Sequence, residues 1–208
     1  MQTVCSVNLE MTALLAVRKP QQLVSEVTVM TDVKNKRVIF ATDGSMNIDP
    51  SPDELCSIAL NAAEAVKEFG LIPKVAMLSF STKGSGGKHD FIEKVVHATD
   101  LVKERDPQLL VDGELQVDAA VNPWAAERKC PNSPLKGDAN VLVFPDLDAS
   151  NVFFHGLGQF SDMTLDFTIM KGLEKPVAIL GRSTPKETHY KMLLSLAMQV
   201  NAASEKKD

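Results

Sequence analysis

Only three cysteines occur among the 208 residues; Cys5, Cys56 and Cys130 are far apart and form no Cys-x-x-Cys pair. That pattern excludes a disulfide framework and a cysteine-based metal clasp, and it fits a reducing compartment, the cytoplasm. None of the three lies beside an evident histidine or helix start, so none reads as an activated nucleophile. No apolar run approaches the length that spans a bilayer. The first residues also lack the basic start of a secretory signal. An excess of basic charge is missing too: the net charge is −5, which argues against nucleic acid or an anionic membrane as the main partner. His89, His97, His155 and His189 are scattered without metal-ligand spacing. No internal repeat or low-complexity tract is visible. What remains is 44% apolar and 24% charged residues, an ordinary globular composition long enough for one large domain or a domain plus a fragment.

The most informative stretch is Lys74 to Gly87, KVAMLSFSTKGSGG, which reads as a strand entering a glycine-rich turn. Gly84, Gly86 and Gly87 leave the backbone unhindered, so main-chain N–H groups can turn towards one point. Lys83 and Lys88 add positive charge on both sides, and an anion such as phosphate is the natural guest. A tight strand-to-helix turn that binds nothing would look the same. The stretch is not a Walker loop, because Gly87-Lys88 is followed by His89 rather than Ser or Thr.

Strand-like and helix-like segments alternate through most of the chain, the habit of an α/β protein. Val24–Thr31 and Arg37–Thr42 read as a hairpin across Lys34-Asn35-Lys36. Ser51-Pro52-Asp53-Glu54 forms a capping box with proline in the first turn. Leu55, Ile58, Ala59, Ala62, Val66 and Phe69 then recur at helical spacing until Gly70. Phe91 to Arg105 forms a second amphipathic helix. Leu109–Val111 reads as a short strand ending at Asp112-Gly113. A helix follows from about Gln116, interrupted or restarted at Pro123. Asn140–Phe144 and Pro176–Leu180 read as buried strands, and Pro185–Ala203 as a terminal helix with a frayed tail from Ser204 to Asp208.

Four ordered segments, Val75–Gly87, Leu109–Val121, Ser133–Asn151 and Gly172–Leu180, resemble the phosphate acyltransferases, the family of phosphate acetyltransferase and phosphate butyryltransferase. Phe40–Glu54 and Pro176–Ala197 look closer to the butyryl branch, and the middle closer to the acetyl branch. The resemblance implies a three-layer α/β/α sandwich with a mostly parallel sheet, isopropylmalate-dehydrogenase-like. It covers nearly the whole chain but only about two-thirds of a family member. Most of the N-terminal domain is therefore missing. On that reading residues 22–172 form the family's second domain, and residues 1–21 and 173–208 are remnants of the first.

The family moves an acyl group between coenzyme A and inorganic phosphate without a metal, at a cleft between its two domains, and commonly as a homodimer. The resemblance makes Arg182 the candidate catalytic cation, since its planar fork suits phosphate. It makes Ser81, Thr82, Lys83, Gly84, Ser85, Asn151 and Ser183 candidate contacts to coenzyme A or phosphate. Departures are equally plain. Gly181 and Thr188 stand where the family has Ser and, in the acetyl branch, Asp; Glu10 stands where that branch has an Arg. Asp112, Glu114 and Asp146 read as strand-end carboxylates that cap helices or pair with lysines. Three functions stay open: an active acyltransferase, a binding or regulatory protein that holds coenzyme A, an acyl phosphate or another anion without turnover, or an assembly subunit that keeps the family's dimer surface.

Overall fold

A computed structural model describes residues 23–178 and 186–205, with side chains to residue 201. Its sheet has six strands in the order β4-β3-β5-β2-β1-β6. They are β1 (Ser25–Asp32), β2 (Arg37–Thr42), β3 (Lys74–Leu78), β4 (Leu110–Leu115), β5 (Val141–Val143) and β6 (Thr164–Lys171). Pairings β4·β3, β3·β5 and β5·β2 are parallel, whereas β2·β1 and β1·β6 are antiparallel. The mostly parallel sheet expected from the sequence is present.

The expected hairpin is β1–β2. Asp32 fastens its turn, accepting from the Asn35 N–H at 3.1 Å, the Asn35 side chain at 2.7 Å and Arg37 Nε at 2.9 Å. Helix α1 (Pro52–Glu68) starts on a complete Ser51/Glu54 capping box, which satisfies N–H groups that a helix start leaves unpaired. Helix α2 (Asp90–Arg105) starts at His89, whose ring accepts from the Phe91 N–H. Two short helices, α3 (Val117–Val121) and α4 (Pro123–Lys129), meet at Asn122, with Pro123 opening the second. Helices α5 (Leu147–Phe160) and α6 (Lys186–Glu205) complete the described elements.

Strand alternation divides the interior into two cores. Val75, Met77, Val141 and Val143 face α1 and α2, where Leu55, Ile58, Val66, Val95 and Val102 pack. Ala76, Leu78, Leu142 and Phe144 face the other way, against Ala119, Ala120, Ala126 and Phe154 of α3, α4 and α5. This is the α/β/α layering, because successive strand residues point to opposite faces. Lys171 at the end of β6 is buried beneath α1 and is paired with Glu64 at 3.4 Å and Glu68 at 2.9 Å.

Three expectations are corrected. Asp112, Gly113 and Glu114 do not follow β4 but lie inside it, because the strand continues to pair with β3 up to Leu115. Residues 176–178 form no strand, and Leu180 lies outside the described residues. β6 and α5 were not anticipated: β6 breaks alternation at its outer, half-covered end, and Gly156 and Gly158 blur the helical pattern of α5. The terminal helix reaches Glu205, and 206–208 lie outside the described residues.

Candidate functional site

The helix after β3 covers one face of the sheet and the helix after the neighbouring β5 covers the other. Adjacent parallel strands whose connections diverge leave a crevice beyond their carboxyl ends, the usual ligand position in such sheets. The glycine-rich loop leaves β3 at this edge, and Asp146 at the same edge caps α5 by accepting the Ala149 N–H at 2.8 Å. Capping is thus the role found for Asp146.

The loop is stitched to β4 and the segment after it. Ser81 is fully buried; its hydroxyl donates to Glu114 Oε1 at 2.8 Å and accepts the Gly86 N–H at 2.9 Å. The Gly84 N–H donates to the same Glu114 oxygen at 2.7 Å. Thr82 Oγ1 accepts the Gln116 N–H at 2.9 Å, and Ser85 Oγ accepts the Thr82 N–H at 2.9 Å. The N–H groups of Gly84 and Gly86 are therefore occupied by this protein's own side chains. The loop's main offering to an anion is the lysine at its tip.

Lys83 sits at φ +49°, a left-handed conformation that a side-chain-bearing residue adopts at a cost of about 1–2 kcal/mol. That twist carries its amine back over β4, where Nζ donates to Asp112 Oδ1 and to the Gly113 carbonyl, each at 2.6 Å. Beside it opens a cleft of about 410 Å³, lined by Lys83, Asp112, Lys129, Cys130, Asn132 and Ser133 together with two prolines. Lys129, the last residue of α4, donates to Gln116 Oε1 at 3.0 Å and Asp118 Oδ2 at 2.7 Å. The Lys129 hydrogen bond holds the Asp118 carboxyl below the usual carboxylate range. Burial pushes the Cys130 thiol up, with Asp112 adding to the effect, so this cysteine is held as the thiol. Asp112 is 5% exposed. Its Oδ2 is buried and has no hydrogen-bond partner; such an unsatisfied oxygen costs about 1–3 kcal/mol.

A second polar cluster lies across the hairpin, at the end of β2. Asp43 accepts from the Ser45, Met46 and Asn47 N–H groups and from the Asn47 side chain. Glu26 on β1 accepts from Thr28 Oγ1 at 3.1 Å and from the Ser45 hydroxyl. Burial, with the Asp43 charge added, raises the Glu26 carboxyl to about 7; burial also raises Asp43.

Ser81, Thr82, Lys83, Gly84 and Ser85 thus share one loop, whereas Asn151 stands exposed early in α5. Arg182 and Ser183, like Gly181 and Glu10, lie outside the described residues; Thr188 falls in the first turns of α6. Sequence reasoning missed Gln116, Lys129 and Ser133 as parts of the site, since they become neighbours of Lys83 only when β4 pairs beside β3. It also missed Glu26, whose signal was a carboxylate inside an apolar β-branched strand. Among the described residues no cluster of His, Cys, Asp and Glu could hold a metal ion, and no helix is long and apolar enough to cross a membrane.

Residues 9–197 match the sequence profile of the phosphate acetyl/butaryl transferase family. The phosphate acetyltransferase of Bacillus subtilis is 43% identical over 164 residues, which is 79% of this chain and 50% of that protein. A phosphotransacetylase structure from Streptococcus pyogenes superposes with a TM-score of 0.88 at 37% identity, covering 96% of this chain and 61% of the other. A branched-chain phosphotransacylase from Enterococcus faecalis gives 0.76 at 25% identity, covering 96% and 71%. The chain spans about half the length of the Bacillus relative. With the match running through both the glycine-rich loop and the cleft-forming segment after α4, the chain belongs to the phosphate acetyl/butaryl transferase family.

Proposed function

We infer that this chain serves acyl transfer between coenzyme A and inorganic phosphate, with an acetyl or butyryl group as cargo. The observation that carries the reading is the family match over residues 9–197. The lysine-tipped loop at the carboxyl edge of the sheet supports it. In that reaction a phosphate oxygen attacks the thioester carbonyl carbon, and the C–S bond breaks as the tetrahedral oxyanion collapses. Coenzyme A departs as thiolate and takes up a proton, leaving the acyl phosphate. The chain's residues must therefore hold phosphate, donate hydrogen bonds to the oxyanion and supply that proton. Arg182 is the assigned phosphate fork, with Ser183 next to it in sequence, Asn151 on α5 and the Ser81–Ser85 loop as contacts to the substrates. A homodimer is part of the same reading.

A specific observation favours a second reading, a subunit that binds coenzyme A or an acyl phosphate without turnover. The N–H groups of Gly84 and Gly86 are already committed to Glu114 and Ser81. Gly181 and Thr188 also replace side chains that the family's reaction uses. Thiol release from acetyl-CoA and butyryl-CoA in phosphate, by the purified chain and by Gly181→Ser, separates the two. Phosphate-dependent release by the unaltered chain establishes the transferase. Absence of release from both proteins, with coenzyme A still raising the melting temperature, leaves the binding subunit.

A further inference from the structure

The loop that follows β2, residues 43–51, is held at its base by two buried carboxylates. The β1–β2 register pairs Thr28 with Ala41; carried two positions further, it sets Glu26 opposite Asp43. Glu26 is 7% exposed and Asp43 4%. Ser45 bridges them, its N–H donating to Asp43 at 3.2 Å and its hydroxyl to Glu26. Asp43 also takes the Met46 and Asn47 N–H groups and the Asn47 side chain. Its own carbonyl accepts the Ser150 hydroxyl of α5 at 2.6 Å. The Leu147 N–H, at the start of α5, donates to the Ile48 carbonyl at 2.9 Å. The loop backbone is closely seated: a Cβ on Gly44 would lie 2.7 Å from the Phe154 ring and 3.7 Å from Glu26 Oε1.

Among the described residues no cation is set against this pair, because the ion pairs engage neither carboxylate. On β6, Met170 lies opposite Glu26, and the next residue, Lys171, gives its amine to Glu64 and Glu68 of α1. On α5 the loop meets Ser150 and Phe154, whereas Asp146 caps that helix and Asp148 and His155 are exposed. Asp49, on the loop itself, pairs with Lys94. Thr28 on β1 donates to Glu26 at 3.1 Å. Two like charges facing each other in so enclosed a place cannot both stay ionised while the loop remains seated. Asp43 has four donors and is the member that keeps its charge; Glu26, met by two hydroxyls, holds the proton. Burial, and then the Asp43 charge, raise the Glu26 carboxyl to about 7, in keeping with that division. Burial raises Asp43 as well, but its hydrogen bonds oppose the rise.

We propose that Glu26 and Asp43 form a proton-operated clasp, in which residues 43–51 stay seated while the pair retains one proton and are released when that proton passes to solvent. Release uncovers Met46, which packs with Met170 and Leu173. It also frees the start of α5 beside the carboxyl edge of the sheet. The device does not rest on the acyltransferase reading, since it is built from β1, the loop and α5 and needs no substrate.

Hydrogen exchange read by mass spectrometry on the 208-residue chain tests it, following the peptide that carries residues 43–51 from pH 5 to pH 8. Rates are divided by the intrinsic exchange rate at each pH. Opening that sheds one proton should lower protection of the Ser45, Met46 and Asn47 amides about tenfold per pH unit, then level off near pH 7. Peptides from α2 and β3 should not follow. Glu26→Gln is neutral without a proton and should leave loop protection flat across the range. Thr28→Val removes the hydroxyl that favours a charged Glu26, so the levelling-off should move to higher pH; this variant serves if Glu26→Gln does not fold. Loop protection independent of pH in the unaltered chain, or a slope that survives Glu26→Gln, would overturn the proposal. So would an unmoved levelling-off in Thr28→Val, or an equal loss of protection in every peptide.

Discussion

The Ser81 hydroxyl donates to Glu114 Oε1 at 2.8 Å, joining the loop after β3 to the last residues of its neighbour β4. The Gly84 N–H shares that oxygen at 2.7 Å. One carboxylate thereby sets the course of the lysine-bearing loop, and both donors lose their acceptor if it is removed. Glu114→Ala should cost about 2–4 kcal/mol, read as a lower denaturant midpoint. Glu114→Gln keeps an acceptor oxygen and should cost roughly half as much. Equal losses from the two would show that the carboxylate is not the fastener.

Glu26 gives the fold a pH dependence of unusual sign. Its carboxyl is raised from 4.5 to about 7, first by burial and then by Asp43. A raised carboxyl means that the folded chain holds a proton the unfolded chain releases. Stability from this group is therefore full below pH 4.5 and is lost as the pH rises through 7. The change is on the order of 3 kcal/mol. Urea unfolding should accordingly show a higher free energy at pH 5 than at pH 8, and Glu26→Gln should flatten that slope. A steeper slope in the variant would assign the effect elsewhere.

Gly137 packs against the backbone where α3 meets α4. It sits at φ +75°, and a Cβ there would lie 2.5 Å from the Asn122 carbonyl carbon and from Pro123 N. Backbone on that side cannot move away as a flexible side chain would. Gly137→Ala should cost about 2–4 kcal/mol and loosen the segment carrying Asn132 and Ser133. Calorimetric melting measures the first effect; a Tm within a degree of the parent would contradict it.

Cys130 should be slow to alkylate. Burial and Asp112 both favour its thiol form, and the thiolate is the reactive species. Site-resolved mass spectrometry after iodoacetamide at pH 7.5 should find labelling about tenfold or more slower than in urea. Rapid labelling of the folded chain would instead show an open, activated thiol.

Much of this architecture was legible in the residues. The Ser51/Glu54 box, the hairpin before and after Lys34-Asn35-Lys36 and the Pro123 restart are local signals, written within a few neighbouring positions. β6 was not, because its inner half is covered by β1, a partner over a hundred residues away. The same distinction separates the two parts of the site. Lys83 and its glycines are contiguous and could be read directly. Asp112, Gln116 and Lys129 join them only through the β3·β4 pairing and its register. The dual use of Ser81 and Glu114, which closes the loop's own N–H groups, depends on side-chain geometry that spacing does not encode.

The antiparallel strand β6 runs back along β1 so that Lys171 is registered with Ser25. At the next residue the two ends nearly touch: a Cβ on Gly172 would lie 2.2 Å from the Leu23 carbonyl oxygen. The polypeptide thus enters and leaves the sheet through one doorway. A unit closed in this way can be inserted into a host chain at a single surface loop, without stretching the host or rethreading its own strands.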